Sequence, residues 1–181
     1  MFILLTGAPQ AGKTTACWKA LPGLRTAGVK IGGFVSPVLV DVAGAKTGIE
    51  MWDLRTGGHR TLARVGRPDE PSTVGVYRFD DGAAMWARDV LAAALLADND
   101  WLVIDEIGPL ELHQGDGFAF ALEPLADPLR VPNAIVMVRS SLVDELAERL
   151  GRSDMVQVCV TPENRAEIPA QLVRLVRAVR P

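Results

Sequence analysis

The chain has 181 residues, with 22 acidic and 19 basic side chains, a formal net charge of −3 and a 49% hydrophobic share. That length and share suit one compact α/β unit with a substantial core. Lys and Arg are scattered with no block of about five like charges, and no apolar run reaches about eighteen residues, so neither a nucleic-acid surface nor a membrane span is expected.

Cys17 and Cys159 form neither a disulfide framework nor a metal-ligand spacing, and both read as reduced packing residues of a cytoplasmic protein. Met1 runs straight into an apolar stretch, with no basic region or cleavage site of an export signal. His59 and His113 lack neighbouring ligands at zinc spacing, and Trp18, Trp52, Trp86 and Trp101 follow no repeat, so packing is the reading for all four tryptophans.

The apolar residues 2–5 predict a first strand. Directly after it come Gly7, Ala8, Pro9, Gln10, Ala11, Gly12, Lys13, Thr14 and Thr15, which match G-x-x-x-x-G-K-[ST], the phosphate-loop or Walker A pattern, at every fixed position. Gly7 and Gly12 permit a turn tight enough for successive N–H groups to converge on phosphate oxygens. Lys13 adds a positive charge between the β- and γ-phosphates, and Thr14 offers a hydroxyl to Mg²⁺. Thr15 and the N-terminus of the following helix suit the α-phosphate, because unpaired N–H groups and the helix dipole favour anions there.

That helix is expected over residues 13–27, with Ala16, Cys17, Ala20, Leu21 and Leu24 on its buried stripe and a kink or break near Leu21 caused by Pro22. Residues 30–37 read as the second strand, where Gly32 and Gly33 admit a close neighbour. In residues 38–65 apolar and polar residues alternate between glycine turns, the pattern of antiparallel hairpins inserted into a parallel fold. Residues 67–73 read as a loop, either a lid or a plain connection. A short strand over 74–79 follows, then a helix capped by Asp80 and running through Ala97, with Ala84, Met85, Val90, Leu91, Ala94 and Leu95 on its apolar face.

Residues 101–104 form a continuous apolar strand that ends in Asp105-Glu106. A buried parallel strand delivering a carboxylate at its C-terminal edge suits the metal side of a phosphate-loop site. Asp105 is the expected Mg²⁺ partner, and Glu106 the group that orients and deprotonates an attacking water. A helix is expected within 110–124, beginning near Asp116, then a strand over 134–138 and a helix over 141–150. Arg139 falls just past that strand, as either an arginine finger supplied in cis or a surface ion-pair residue. The last strand is 156–160. Pro162 after Thr161 reads as the start of the final helix, which carries Ile168, Leu172, Leu175, Val176 and Val179. Asn164 and Arg165 would either contact a nucleobase or simply cap that helix.

These stretches together resemble one family, the small nucleoside-triphosphatases first recognised in thermophiles, which include the cancer-related nucleoside-triphosphatase. Beyond the phosphate loop, the likeness runs through Gly28-Val29-Lys30-Ile31-Gly32-Gly33-Phe34 with Ser36-Pro37, then Gly48, Asp53-Leu54, Thr56-Gly57 and Val74-Gly75 with Tyr77. Its most specific parts are Ile104-Asp105-Glu106-Ile107-Gly108-Pro109-Leu110-Glu111-Leu112 with Phe118, and Val160-Thr161-Pro162-Glu163-Asn164-Arg165. Val38, where the family usually has Glu, Pro22 and the stretch around Arg139 depart from the pattern.

The resemblance implies a RecA-like three-layer α/β sandwich of the P-loop NTPase class. Its sheet would be mostly parallel, with the 134–138 strand between the phosphate-loop strand and the Asp105 strand. Residues 1–181 would form a single domain in which 38–65 are the inserted hairpins. It also implies slow, Mg²⁺-dependent hydrolysis of nucleoside triphosphates, ATP and GTP among them, to diphosphate and phosphate, with little choice of base. Glu111 becomes a second candidate near the γ-phosphate or the loop that covers it.

No protein partner is indicated. Two other readings fit the residues: a small-molecule or nucleotide kinase whose lid draws on Arg60, Arg64 and Arg67, and a nucleotide switch activated by a partner.

Overall fold

A computed structural model describes residues 1–67 and 76–179. Its strands are β1 (Phe2–Gly7), β2 (Ile31–Val35), β3 (Val38–Val40), β4 (Lys46–Asp53), β5 (His59–Val65), β6 (Tyr77–Phe79), β7 (Trp101–Ile107), β8 (Ala134–Arg139) and β9 (Met155–Cys159). The helices are α1 (Lys13–Thr26), α2 (Asp81–Leu96), α3 (Pro109–His113), α4 (Leu122–Ala126), α5 (Val143–Leu150) and α6 (Ile168–Ala178). One sheet runs in the order β6-β5-β4-β2-β7-β8-β1-β9, with β3 paired to β4. From β2 to β9 neighbouring strands are parallel, while β3, β4, β5 and β6 join them by antiparallel pairing. As the resemblance implies, β8 lies between β1 and β7.

Side-chain alternation along the buried strands divides the core between the two faces of the sheet. Phe2 and Leu4 of β1 join Leu102 and Ile104 of β7 under α2, α4 and α5. Ile3 and Leu5 join Val103 and Met137 under α1 and α6 on the other face. Helices thus cover both faces, which makes the three layers. Gly33, at φ +91°, lets β2 press against β7, where a β-carbon would overlap the Val103 carbonyl oxygen. That is the close approach expected of the Gly32-Gly33 pair.

Several local expectations are corrected. Helix α1 continues through Pro22 as one element, so the break expected as one alternative there does not form. Pro22 is exposed, while Ala20, Leu21 and Leu24 are buried and hold both sides of it to the core. The helix expected from Asp116 is instead α3, beginning at Pro109, followed by a 3₁₀ turn at Ala119–Ala121 and then α4. Gly115 and Gly117, at φ +68° and +60°, break the path between them. The final helix begins at Ile168 with Pro169 in its first turn, not at Pro162.

Asp80 does cap α2, accepting from the Ala83 amide at 2.7 Å. Met85, however, is exposed, and Ala83 and Ala87 complete that helix's buried face. Cys17 is buried as expected, whereas Cys159 is exposed. Of the predicted loop at 67–73 only Arg67 lies among the described residues, and Val74 and Gly75 of the predicted strand also fall outside them. Among the described residues, no helix is long and apolar enough to cross a membrane.

Candidate active site

The site forms where β1, β8, β7 and β2 end together, the edge at which parallel α/β sheets bind ligands. Residues 8–12 turn sharply between β1 and α1. Gly7 (φ +149°) packs so close to the Val160 carbonyl that a β-carbon would sit 2.5 Å from its oxygen, and Gln10 (φ +65°) and Gly12 (φ +105°) take left-handed conformations. Lys13 is buried, and its ammonium donates to the carbonyls of Gly7 at 2.9 Å and Ala8 at 3.2 Å. Burial holds the Lys13 pKa below the ordinary lysine value, with Glu106 and Asp105 opposing the shift. The ammonium is therefore stationed inside the loop's concavity.

Thr14 Oγ1 donates to Asp105 Oδ1 at 3.1 Å, which joins the start of α1 to the end of β7. The second oxygen, Asp105 Oδ2, accepts the Ser36 amide at 2.8 Å. Burial pushes the Asp105 pKa up to about 6, while the bonds from Ser36 and Thr14 pull it down. A cation here would relieve the desolvated carboxylate. The Ser36 hydroxyl oxygen is also buried and has no hydrogen-bond partner. Hydroxyl, carboxylate and a second, unpaired hydroxyl are hard oxygen donors, so these residues fit Mg²⁺.

Glu106 follows at a β-bulge. Asp105 pairs in register with Met137 and Ile107 with Val138, so Glu106 is the extra residue of β7. Consecutive residues of a regular strand point to opposite faces, and a bulge re-aims one of them. Glu106 Oε1 accepts Arg139 Nε at 2.6 Å, across the ends of β7 and β8.

Glu111 lies further along the same segment and is buried. Its Oε2 accepts the Gly108 amide at 2.9 Å and its Oε1 the Phe118 amide at 3.2 Å, while the Phe118 ring packs 4.7 Å from that of Phe34. Both carboxylate oxygens thus brace the turn leaving β7.

On the other side, the 161–167 turn meets the phosphate loop. A β-carbon on Gly12 would lie 3.8 Å from Arg165 Cδ. Asn164 Oδ1 accepts the Thr161 amide at 2.8 Å and its Nδ2 donates to the Cys159 carbonyl at 2.8 Å, so its amide shapes the turn.

The structure therefore gathers Lys13, Thr14, Asp105, Glu106 and Arg139 at one sheet edge, with Arg165 beside the loop. Sequence reading gives Ser36 no role. Its signal is the Ser-Pro pair directly after an apolar strand, which pins an extended backbone at the sheet's edge.

A phosphate loop on a parallel sheet with an acidic strand end opposite it defines a P-loop NTPase. Residues 2–173 match the model of the family described as NTPase, and the chain belongs to that family. It is similar to the nucleoside-triphosphatase THEP1 of Thermofilum pendens, 35% identical over 94% of this chain and 92% of the relative. The protein of the same name from Methanopyrus kandleri is 33% identical, again over 94% of this chain and 92% of the relative. Among solved structures, THEP1 from the hyperthermophile Aquifex aeolicus aligns with a TM-score of 0.70 and 25% identity, covering 97% of this chain and 99% of that one.

Proposed function

We propose that the chain hydrolyses the β–γ phosphoanhydride of nucleoside triphosphates, ATP and GTP among them, to diphosphate and phosphate, in a slow, Mg²⁺-dependent reaction of broad base specificity. The observation that carries this reading is the contact between Thr14 and Asp105 beside the re-aimed Glu106.

The loop amides of residues 7–15 and the Lys13 ammonium bind the phosphates, with Lys13 exchanging its carbonyl partners for phosphate oxygens. Thr14 and Asp105 would hold Mg²⁺, which supplies charge neutralisation at the β- and γ-phosphates. Glu106 accepts a proton from water as the water oxygen bonds to the γ-phosphorus and the bond to the β–γ bridging oxygen breaks. Arg139 balances charge on the transferred group, which requires it to leave Glu106. That extra step supports slow turnover. Asn164 is engaged within its own turn, and Arg165 offers a planar face that stacks on any base, which supports weak base choice.

The proposal takes residues 1–181 as one domain, with 38–65 as an insertion. It places the protein in the cytoplasm, in keeping with two unpaired thiols.

The test is phosphate release from a panel of nucleoside triphosphates, with and without Mg²⁺ and with no added acceptor, by the natural protein and Glu106→Gln. The expected result is Mg²⁺-dependent release that falls about a hundredfold or more in the variant. Equal release by both proteins would overturn the role of Glu106. Tight nucleotide binding with no release would overturn the hydrolase and favour an acceptor-requiring kinase.

A further inference from the structure

Ser36 leaves β2 at the edge of the site and does two separable things there. Its amide donates to Asp105 Oδ2 at 2.8 Å, and its hydroxyl oxygen is buried without a partner. A buried polar atom without a partner is uncommon, and it calls for a structural or ligand-linked explanation. The backbone around it is fixed. Pro37 confines Ser36 to an extended conformation, and the Pro37 carbonyl accepts the Glu50 amide of β4 at 3.0 Å. Covalent geometry keeps the hydroxyl oxygen within about 4 Å of its own amide nitrogen, and so beside the Asp105 carboxylate.

Only two described residues carry such an orphan side-chain oxygen, and the other, Thr6, is fully buried within β1. Ser36 is the one whose own backbone bonds the carboxylate expected to face the cation.

We propose that Ser36 is a positioning residue for the divalent cation: its amide aims the Asp105 carboxylate, and its hydroxyl hydrogen-bonds the cation's hydration shell. Mg²⁺ binds few protein groups and retains several waters, so the site wall must supply hydrogen-bonding partners to that shell. A neutral hydroxyl can donate or accept there, adding no charge to Asp105 and Glu106. That chemistry accounts for a buried hydroxyl with no protein partner at this position. This inference rests on the Mg²⁺-dependent reading of the site.

The experiment titrates Mn²⁺, as a spectroscopic stand-in for Mg²⁺, into the intact protein saturated with ADP, and follows the free ion by paramagnetic resonance. Natural protein, Ser36→Ala and Ser36→Thr are compared, with ADP affinity in the absence of metal measured alongside. Ser36→Ala keeps the amide and loses only the hydroxyl. It is expected to weaken Mn²⁺ binding about tenfold, the usual effect of an outer-shell partner, with metal-free ADP affinity unchanged and Ser36→Thr restoring the cation. A change below about twofold in folded Ser36→Ala would overturn the proposal, as would an equal loss of metal-free ADP affinity. If Ser36→Ala fails to fold, Ser36→Cys keeps the volume, weakens the hydrogen bond and is read in the same way. Natural protein that binds ADP but no Mn²⁺ would instead overturn the Mg²⁺ reading itself.

Discussion

Arg139 Nε lies 2.6 Å from Glu106 Oε1, so the arginine at the end of β8 and the carboxylate at the bulge of β7 neutralise each other at the mouth of the phosphate loop. Both side chains are partly exposed, at 46% and 33%, which screens the pair and keeps its contribution small. Under the proposed reaction, the arginine-finger and ion-pair readings of Arg139 would describe two stages of one cycle.

Removing Arg139 should therefore slow chemistry more than binding. Arg139→Ala is expected to lower single-turnover hydrolysis about a thousandfold, the usual scale for an arginine finger. Combining it with Glu106→Gln should cost less than the product of the two single losses, because the two residues act as a unit. A loss under about tenfold in Arg139→Ala, measured by rapid-quench phosphate release, would leave Arg139 with an ion-pair role alone.

Glu111 predicts the opposite pattern. Each of its carboxylate oxygens accepts a backbone amide, from Gly108 and from Phe118. Glu111→Gln would turn an NH₂ group toward one of those donors, lowering stability by about 2 kcal/mol in a denaturant titration. Turnover per folded molecule should fall less than about tenfold. Unchanged stability with turnover as low as in Glu106→Gln would assign the chemistry to Glu111.

Gly33 carries the seam between β2 and β7. Gly33→Ala meets both a positive φ and the Val103 carbonyl oxygen, which is backbone and has no rotamer to yield. A loss of about 3 kcal/mol or more is expected, visible as a fall of many degrees in Tm. A Tm within about two degrees of the natural protein would show that the seam can open.

The acid limb of stability should report Asp154. Arg152, buried against the Phe2 ring, donates to Asp154 with Nε at 2.8 Å and Nη2 at 2.8 Å, and the Met1 amino group lies 3.2 Å from the same carboxylate. The hydrogen bond from Arg152 is the largest cause holding the Asp154 carboxyl far below its ordinary value of 3.8. The folded state thus binds fewer protons than the unfolded one as the pH drops below that value. The contribution of the pair is full above it and is lost on acidification. Asp154→Asn should cost about 1–2 kcal/mol at pH 7, with the difference from the natural protein shrinking below about pH 4. A pH-independent difference would point to packing instead.

Much of the site is legible without coordinates because its residues are consecutive. The glycines of the phosphate loop set a backbone geometry that a short local sequence dictates and that stations Lys13 and Thr14, and Asp105 is announced by the apolar strand before it. The Asp80 cap is equally local. Expectations failed where a local rule met a competing contact. Pro22 does not break α1, because the neighbouring apolar residues are held by the core. Pro162 does not start α6, because Thr161 and Asn164 close a turn on each other first.

By itself the sequence determined the α/β class, the phosphate loop, the acidic strand end and the family likeness, since strand alternation, glycine conformation and motif spacing are properties of neighbouring residues. The tertiary structure decided which distant groups meet. A bulge in the pairing of β7 with β8 turns Glu106 toward Arg139, the turn after β7 folds back to engage both oxygens of Glu111, and the end of β2 brings the Ser36 amide to Asp105. The Glu106 and Ser36 contacts join residues whose partners are fixed by strand order and register, those of Glu111 depend on the path of the turn after β7, and hydrogen bonds a few ångströms long cannot be inferred from residue types alone.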